Sequence, residues 1–201
     1  MKLISAQQVR RAELQKAAYE VACKYGFHAI TLQQIADHAG TSKGIVHHYF
    51  SSKKDLVEHA VRYAHLVYRT SVVTRLKTAH TPSERLWSII DASFSEEQFR
   101  PEICRLWLTI FDELPYDKNL ARLVAILDRR SISLTVSAIK HLVELSEAEE
   151  KAFSLMALMD GFWILSAFDP AITSRAALSY IVDYIRRNIP RFDMSVVKFP
   201  N

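Results

Sequence analysis

The sequence predicts an all-α protein, with an N-terminal three-helix unit ahead of a larger helical domain. Three observations carry this. Only 4 glycines and 6 prolines interrupt 201 residues, too few for a chain built on turns. Apolar residues recur at steps of three and four over long stretches, and no stretch of useful length alternates as a half-buried strand would. Several of those stretches follow a Ser or Thr with Glu, Gln or Asp three residues on, the pattern of a capped helix start. The length suffices for a sizeable core in one domain or two.

Leu14, Ala18, Val21 and Tyr25 predict a first helix from about Ala6 to Tyr25, closed by Gly26. Phe27 and Ile30 in the following loop are expected to plug a small core. Thr31 with Gln34 caps a second helix, whose stripe is Leu32, Ile35, Ala36 and Ala39. Gly40 gives the backbone freedom for a sharp stop. Thr41 or Ser42 caps a third helix at once, with Ile45, Val46, Tyr49 and Phe50 as its expected inward face. Ser52 and Asp55 open a fourth, through Leu56, Ala60, Tyr63 and Val67 to about Lys77.

Thr81, Pro82 and Glu84 start a fifth helix, carrying Leu86, Ile89, Ile90 and Phe94 down near Phe99. Pro101 starts a sixth, with Ile103, Leu106, Trp107, Ile110 and Phe111, ended by Pro115. A long helix is expected from about Lys118 to Leu145, and Ser146 with Glu149 caps another. Its stretch Ala152 to Ala167 is apolar nearly all round. That is shorter than the ~20 residues of a membrane span, and Asp160 interrupts it. It is expected to be a helix buried on two sides, by its own core and by a partner. The last helix spans roughly Ser174 to Arg187.

The chemistry concentrates in TLQQIADHAGTSKGIVHHYF, Thr31 to Phe50. Two short helices joined by a tight turn have helix-turn-helix spacing. The outer face of the second carries Lys43, Gly44, His47 and His48, a polar, basic surface flattened at one glycine. Such a face suits a helix that enters a DNA major groove. Lys53 and Lys54 oppose the dipole of the next helix, which points to a phosphate. Residues 1–55 hold 8 Lys and Arg against 4 acids, while the remainder holds 18 of each. The excess charge therefore lies with the motif, as a phosphate-binding surface requires. A small packing unit with a solvated basic face would carry the same charge; its coincidence with the motif favours DNA.

An enzyme finds little support. The chain has no glycine-rich phosphate loop, no nucleophile elbow and no H-E-x-x-H. His47 and His48 are adjacent and point apart on a helix, and His59 and His65 do not share a face, so no metal site is expected. No cofactor is expected either. Cys23 and Cys104 fit reduced, buried thiols in the cytoplasm. MKLISAQQVRR lacks the apolar core of a signal peptide.

Thr31, Ile35, Ala36, Ala39, Gly40, Ser42, Gly44, Tyr49, Phe50, Lys53 and Leu56 match, in order, the DNA-binding pattern of the tetracycline-repressor (TetR) family, which the chain resembles. Thr41 stands where valine is usual and His47 where tyrosine is usual, and the second departure touches the contact face. The resemblance implies a reader domain over residues 1–52. A helical effector-binding and dimerisation domain over residues 53–201 would follow, joined through the fourth helix. It implies a homodimeric, cytoplasmic repressor of double-stranded DNA, released from a palindromic operator by a small-molecule effector. Lys43, Gly44, His47 and His48 would face bases, with Gln33 as an addition; Thr31, Thr41, Ser42, Tyr49 and Lys53 would hold phosphates. Leu155, Met159, Phe162, Tyr180 and Tyr184 are the candidates for the dimer interface.

More narrowly, GIVHHYF, SFSEEQF, WLTIF and MDGFWIL are similar to stretches of the choline-responsive betaine-synthesis repressor (BetI) subfamily. That implies choline or another quaternary ammonium, held by Trp107, Phe111 and Trp163. Asp160 would supply negative charge, with Asp112 and Glu113 as alternatives. The rivals are a core role for all three rings, a regulator of an uncharged apolar ligand, and a helical interaction module without DNA.

Overall fold

The computed structural model describes residues 6–199. Met1 to Ser5, with which the MKLISAQQVRR stretch begins, lie outside the described residues. The helices are α1 (Ala6–Tyr25), α2 (Leu32–His38), α3 (Lys43–Tyr49), α4 (Lys53–Leu76), α5 (Pro82–Ser93), α6 (Pro101–Glu113), α7 (Lys118–Ile139), α8 (Ala148–Ser166) and α9 (Ser174–Asn188). Short 3₁₀ turns occupy Leu145–Glu147 and Met194–Val196.

Local chemistry sets most boundaries. Gly26 and Gly40 both take positive φ, at 75° and 60°, where α1 and α2 must stop. Thr31 and Thr81 form complete capping boxes with Gln34 and Glu84. The backbone N–H groups of Thr81 and His80 both bond to Glu84, which holds its carboxyl below the usual range. Ser52 caps α4, and Asp117 caps α7 through the N–H groups of Asn119 and Leu120.

Three boundaries differ from the sequence expectation. Helix α5 ends at Ser93 rather than near Phe99, because Phe94 leaves helical geometry and the chain turns through residues 95–100. Phe94 and Phe99, five residues apart, meet as a ring pair at 4.8 Å across that turn. Helix α7 ends at Ile139 rather than Leu145; the Leu142 carbonyl instead accepts a hydrogen bond from the Arg191 N–H in the C-terminal tail. Ser146 does not cap α8. A 3₁₀ turn comes first, and the helix starts at Ala148 without a side-chain cap.

Two apolar clusters hold the molecule. One joins α1, α2, α3 and the first half of α4 to Leu106 and Ile110 of α6 and to Leu120, Leu123, Val124 and Leu127 of α7. Phe27 and Ile30 plug it, at 3% and 5% exposure. The other packs α5, α8 and α9 with the C-terminal half of α7 and the tail. Helices α4, α6 and α7 thus belong partly to the reader's core and partly to what lies beyond it.

Candidate nucleic-acid interface and internal cavity

The helix-turn-helix is built on very few inward side chains. Ile35 and Ala36 of α2 and Val46 and Phe50 around α3 are fully buried. The Thr41 N–H donates to the Ala36 carbonyl at 2.9 Å, closing the turn at Gly40. Ser42 caps α3 through the Ile45 N–H. Lys43, Gly44, His47 and His48 are all exposed, while Tyr49 is half-buried with its ring edge-on to His48 at 5.4 Å. Ile45 departs from its expected inward place: it is 42% exposed. In a helix of seven residues only one narrow stripe reaches the core, and Val46 with Phe50 fills it. An outward isoleucine beside two histidines is the side chain that can meet a thymine methyl group.

Gly44 needs no glycine for the protein's own sake. A Cβ there would meet nothing closer than the Ser42 Oγ at 3.9 Å, an ordinary contact. Other candidates have partners of their own. Thr31 is engaged in its capping box, the Gln33 amide donates to Asp37 at 2.7 Å, and the Lys53 Nζ donates to the His28 carbonyl at 2.8 Å. Lys54 pairs with Asp117 at 3.2 Å and the His28 ring approaches Glu113 at 3.6 Å, so polar contacts tie the start of α4 and the loop after α1 to the end of α6 and the loop that follows it.

A second candidate site lies between the helices beyond the reader and is open to solvent on one side, where Phe111, Asp128, Phe153 and Asp160 are exposed. A cavity of about 350 Å³ opens between α4, α5, α6, α7 and α8, a volume within the ~300–1,000 Å³ of small-molecule sites. Trp107, Phe111, Asp160 and Trp163 all line it. Trp107 and Phe111 face each other at 5.9 Å, and Trp163 meets Phe99 edge-on at 5.9 Å. Asp112 and Glu113 do not reach the lining. Desolvation, with Asp128 as a second negative charge, pushes the Asp160 carboxyl up to about 6. Asp128 is raised by desolvation as well. Burial and the nearby Arg130 and Arg69 push His65 down.

Asp128, Tyr68, His65 and Gln98 belong to this lining and were not among the expected residues. Asp128 sits in LDRRSIS, which has the composition of a solvated helix face. It stays solvent-exposed in the subunit, and only the packing of α7 on α8 brings it to the rim of the cavity. The two thiols lie elsewhere, and burial pushes both Cys23 and Cys104 up to about 11, so neither is a ready nucleophile.

Residues 14–60 match the model of bacterial regulatory proteins of the tetR family. Residues 82–190, more than half of the chain, match the C-terminal domain of BetI-type transcriptional repressors. The chain belongs to the TetR family. Among its relatives are the HTH-type transcriptional regulators BetI of Rhizobium meliloti, 32% identical with 94% of each chain covered, and of Pectobacterium carotovorum, 32% identical over 95% of this chain and all of that one. A putative transcriptional regulator from Pseudomonas aeruginosa has a similar structure, with a TM-score of 0.75, 26% identity and 94% and 96% of the two chains covered. Another, from Saccharomonospora viridis, was solved in complex with choline; its TM-score is 0.81 at 23% identity, covering 91% of this chain and 98% of that one.

The protein is thus a transcriptional repressor of the TetR/BetI type and not an enzyme. TetR-type regulators bind DNA and small-molecule effectors, usually as dimers. No helix among the described residues is long and apolar enough to cross a membrane. The residues expected at a dimer interface separate into two groups. Leu155, Met159 and Phe162 are spent on the subunit's own core, at 0%, 7% and 9% exposure, so they have little area to offer a partner. Tyr184 is half-buried, and Tyr180 is 62% exposed, stacked on Phe162 at 5.6 Å. Besides Phe153, which belongs to the cavity lining, the large apolar side chains that α8 leaves in the open are Ile164, Leu165 and, just beyond its end, Phe168.

Proposed function

We propose that this TetR-family protein is a homodimeric repressor that binds a palindromic operator and leaves it when a small cation enters the α4–α8 cavity. Choline or another quaternary ammonium is the effector. One observation carries the ligand class: the lining joins two carboxylates, Asp128 and Asp160, to Trp107, Phe111, Trp163 and Tyr68, with no lysine or arginine. A quaternary ammonium donates no hydrogen bond, so it needs this combination of negative charge and ring faces. Each cation–π contact contributes ~0.5–2 kcal/mol. The choline complex of the Saccharomonospora viridis regulator, similar in fold, favours the same class. The uncharged apolar ligand remains the second reading, because Ile89, Leu127, Ile132 and Met156 make up much of the remaining wall.

On the DNA side, Lys43, Gly44, His47 and His48 read bases, with Ile45 added to them. Thr31, Thr41, Ser42, Tyr49 and Lys53 hold phosphates. The domain boundary stays near residue 52, with α4 as connector, in keeping with a reader family model that ends at residue 60. The dimer forms through the outward face of α8 and the adjoining face of α9: Gly161, Ile164, Leu165, Phe168 and Tyr180. Gly161 supports this. Mid-helix glycine costs ~1 kcal/mol against alanine, yet a Cβ there would meet nothing within 4 Å. Close approach of a second helix gives that glycine a use. Such a regulator works in the cytoplasm, where its operator is.

Choline should quench tryptophan fluorescence saturably and weaken operator binding, and Trp163→Ala should abolish both effects. Release by an uncharged apolar compound, with no response to choline, would retire the ammonium while leaving the repressor.

A further inference from the structure

Arg11, exposed on the second turn of α1, brings its guanidinium Nη2 to the Nε2 of His59 on α4 at 2.8 Å. A guanidinium only donates, so that ring nitrogen carries the lone pair and the ring proton sits on Nδ1. Nδ1 in turn faces the Asp55 backbone carbonyl at 2.7 Å and the Asp55 carboxylate at 3.0 Å, both acceptors. His59 is therefore neutral and held in one tautomer from both sides. A protonated ring would set two positive N–H groups against each other at hydrogen-bond distance.

The contact stands beside the reading helix. The His59 ring meets edge-on the ring of Phe50, the residue that ends α3, at 5.2 Å. Asp55 accepts from the backbone N–H and the hydroxyl of Ser51, at 2.9 and 3.2 Å, in the same junction between α3 and α4. One imidazole thus ties Arg11 to the segment that flanks a helix entering the groove, and such flanks run along phosphates.

The charge of Arg11 is left uncancelled. Arg10 pairs with Glu13, Lys16 with Glu20 and Lys54 with Asp117, whereas no carboxylate among the described residues pairs with Arg11. A carboxylate at position 59 would hold Arg11 more strongly but neutralise it. A neutral imidazole orients the guanidinium and leaves its charge, with most of its N–H donors, to meet another group. A purely structural tie between α1 and α4 gains nothing from keeping that charge unpaired. A phosphate contact does, because the cation stays available and its side chain is ordered before DNA arrives.

We propose that Arg11 is a phosphate contact of the reader, and that His59, fixed by Asp55, is the positioning residue that holds it ready. This adds a residue outside the helix-turn-helix to the phosphate contacts above, and it rests on DNA binding alone, not on the effector.

The test measures binding to the full-length protein by fluorescence anisotropy over a salt series. The probes are a labelled duplex from the gene's own upstream region and a random-sequence duplex of equal length. Arg11→Gln should weaken both and flatten the plot of log affinity against log salt by about one unit. His59→Leu keeps the charge but frees the side chain, so affinity should fall by about two- to ten-fold with the slope retained. His59→Gln, whose amide can accept from Arg11 and donate to the Asp55 carbonyl, should recover most of that loss. In the Arg11→Gln background His59→Leu should change affinity by less than about two-fold, because it acts through Arg11. An unchanged slope in Arg11→Gln, with the slope flattened in Lys53→Ala, overturns the phosphate contact and leaves the reader standing. A His59→Leu loss of the same size in both backgrounds overturns the positioning role. A wild type whose binding ignores salt overturns the phosphate-binding surface as a whole. Arg11→Gln is an exposed change and decides the contact even where His59→Leu does not fold.

Discussion

Helices α3 and α8 pose the same problem, which side chains face the protein and which face something else, and they differ in how visible the answer is. In α3 the outward residues are Lys43, Gly44, His47 and His48, chemically unlike the Val46 and Phe50 that hold the helix down. In α8 nearly every residue from Ala152 to Ala167 is apolar or small, and three different surfaces draw on that one composition. Leu155 and Phe162 enter the core, Met159 lies between core and cavity, Met156, Asp160 and Trp163 face the cavity, and Ile164 and Leu165 remain outside. Contrast in polarity reveals a surface. Where two surfaces are both apolar, only packing separates them.

The sharpest way to break this comparison is a pair of charge substitutions on α8. Met159→Glu places a carboxylate in the core at a cost of several kcal/mol and should collapse the thermal melt. Leu165→Glu, half-exposed in the subunit, should keep the fold and shift sedimentation from dimer to monomer at micromolar concentration. A wild type that sediments as a monomer refutes the dimer altogether. Like behaviour of the two variants would mean that α8 does not present separate faces.

The next largest effect concerns the cavity. Asp160→Asn should weaken choline binding by roughly 10–100-fold, the range for a hydrogen-bonded or paired charge, without unfolding the protein. The native pH dependence has a definite sign. Protonation of Asp160, whose carboxyl lies at about 6, removes the negative charge that attracts a cation. Protonation of His65, which burial and the nearby Arg130 and Arg69 hold below its ordinary value, adds a repelling one. Choline affinity should therefore fall as pH drops through about 6 and level off above about 7. Affinity that is flat from pH 5 to 8 would remove Asp160 from the site.

These residues also show how far the sequence reaches. Cap boxes, Gly26 and Gly40 act within one turn of chain, so the reader's helices were legible almost to the residue. The rings at 107, 111 and 163 and the carboxyl at 160 could be grouped because two helices carry them and the resemblance to BetI relatives pairs those helices. Asp128 and Gln98 could not. Asp128 remains solvent-exposed at the cavity rim and Gln98 looks like a turn residue, so neither is marked until α7 and the 95–100 turn are packed against α8. The ends of α5 and α7 were overrun for a related reason: Phe99, Leu142 and Val143 are apolar continuations of a helical stretch, but tertiary contacts, not helix, bury them.

On the reader the effects are smaller and distinguish contacts from one another. Lys53→Ala should weaken binding to all DNA alike and flatten the salt dependence by about one unit, the mark of one lost phosphate contact. His47→Ala should instead relax preference at one base pair of each half-site, scored against a set of operator variants. Equal losses on cognate and random DNA for both variants would contradict the division into base and phosphate contacts. Gly44→Ala makes the finest test. Removing a helix-interior glycine should raise thermal stability slightly, by up to ~1 kcal/mol, because a Cβ there meets only ordinary contact. Operator affinity should nevertheless fall, since the methyl group stands between α3 and the groove.

The most direct test of the account is fluorescence anisotropy of labelled operator DNA bound to the full-length protein, titrated with choline at neutral pH and fixed salt. The account predicts a saturable fall to the anisotropy of free DNA, shifted to higher choline in Asp160→Asn and absent in Trp163→Ala. Operator that stays bound at saturating choline, yet is released by an uncharged apolar compound, would contradict it.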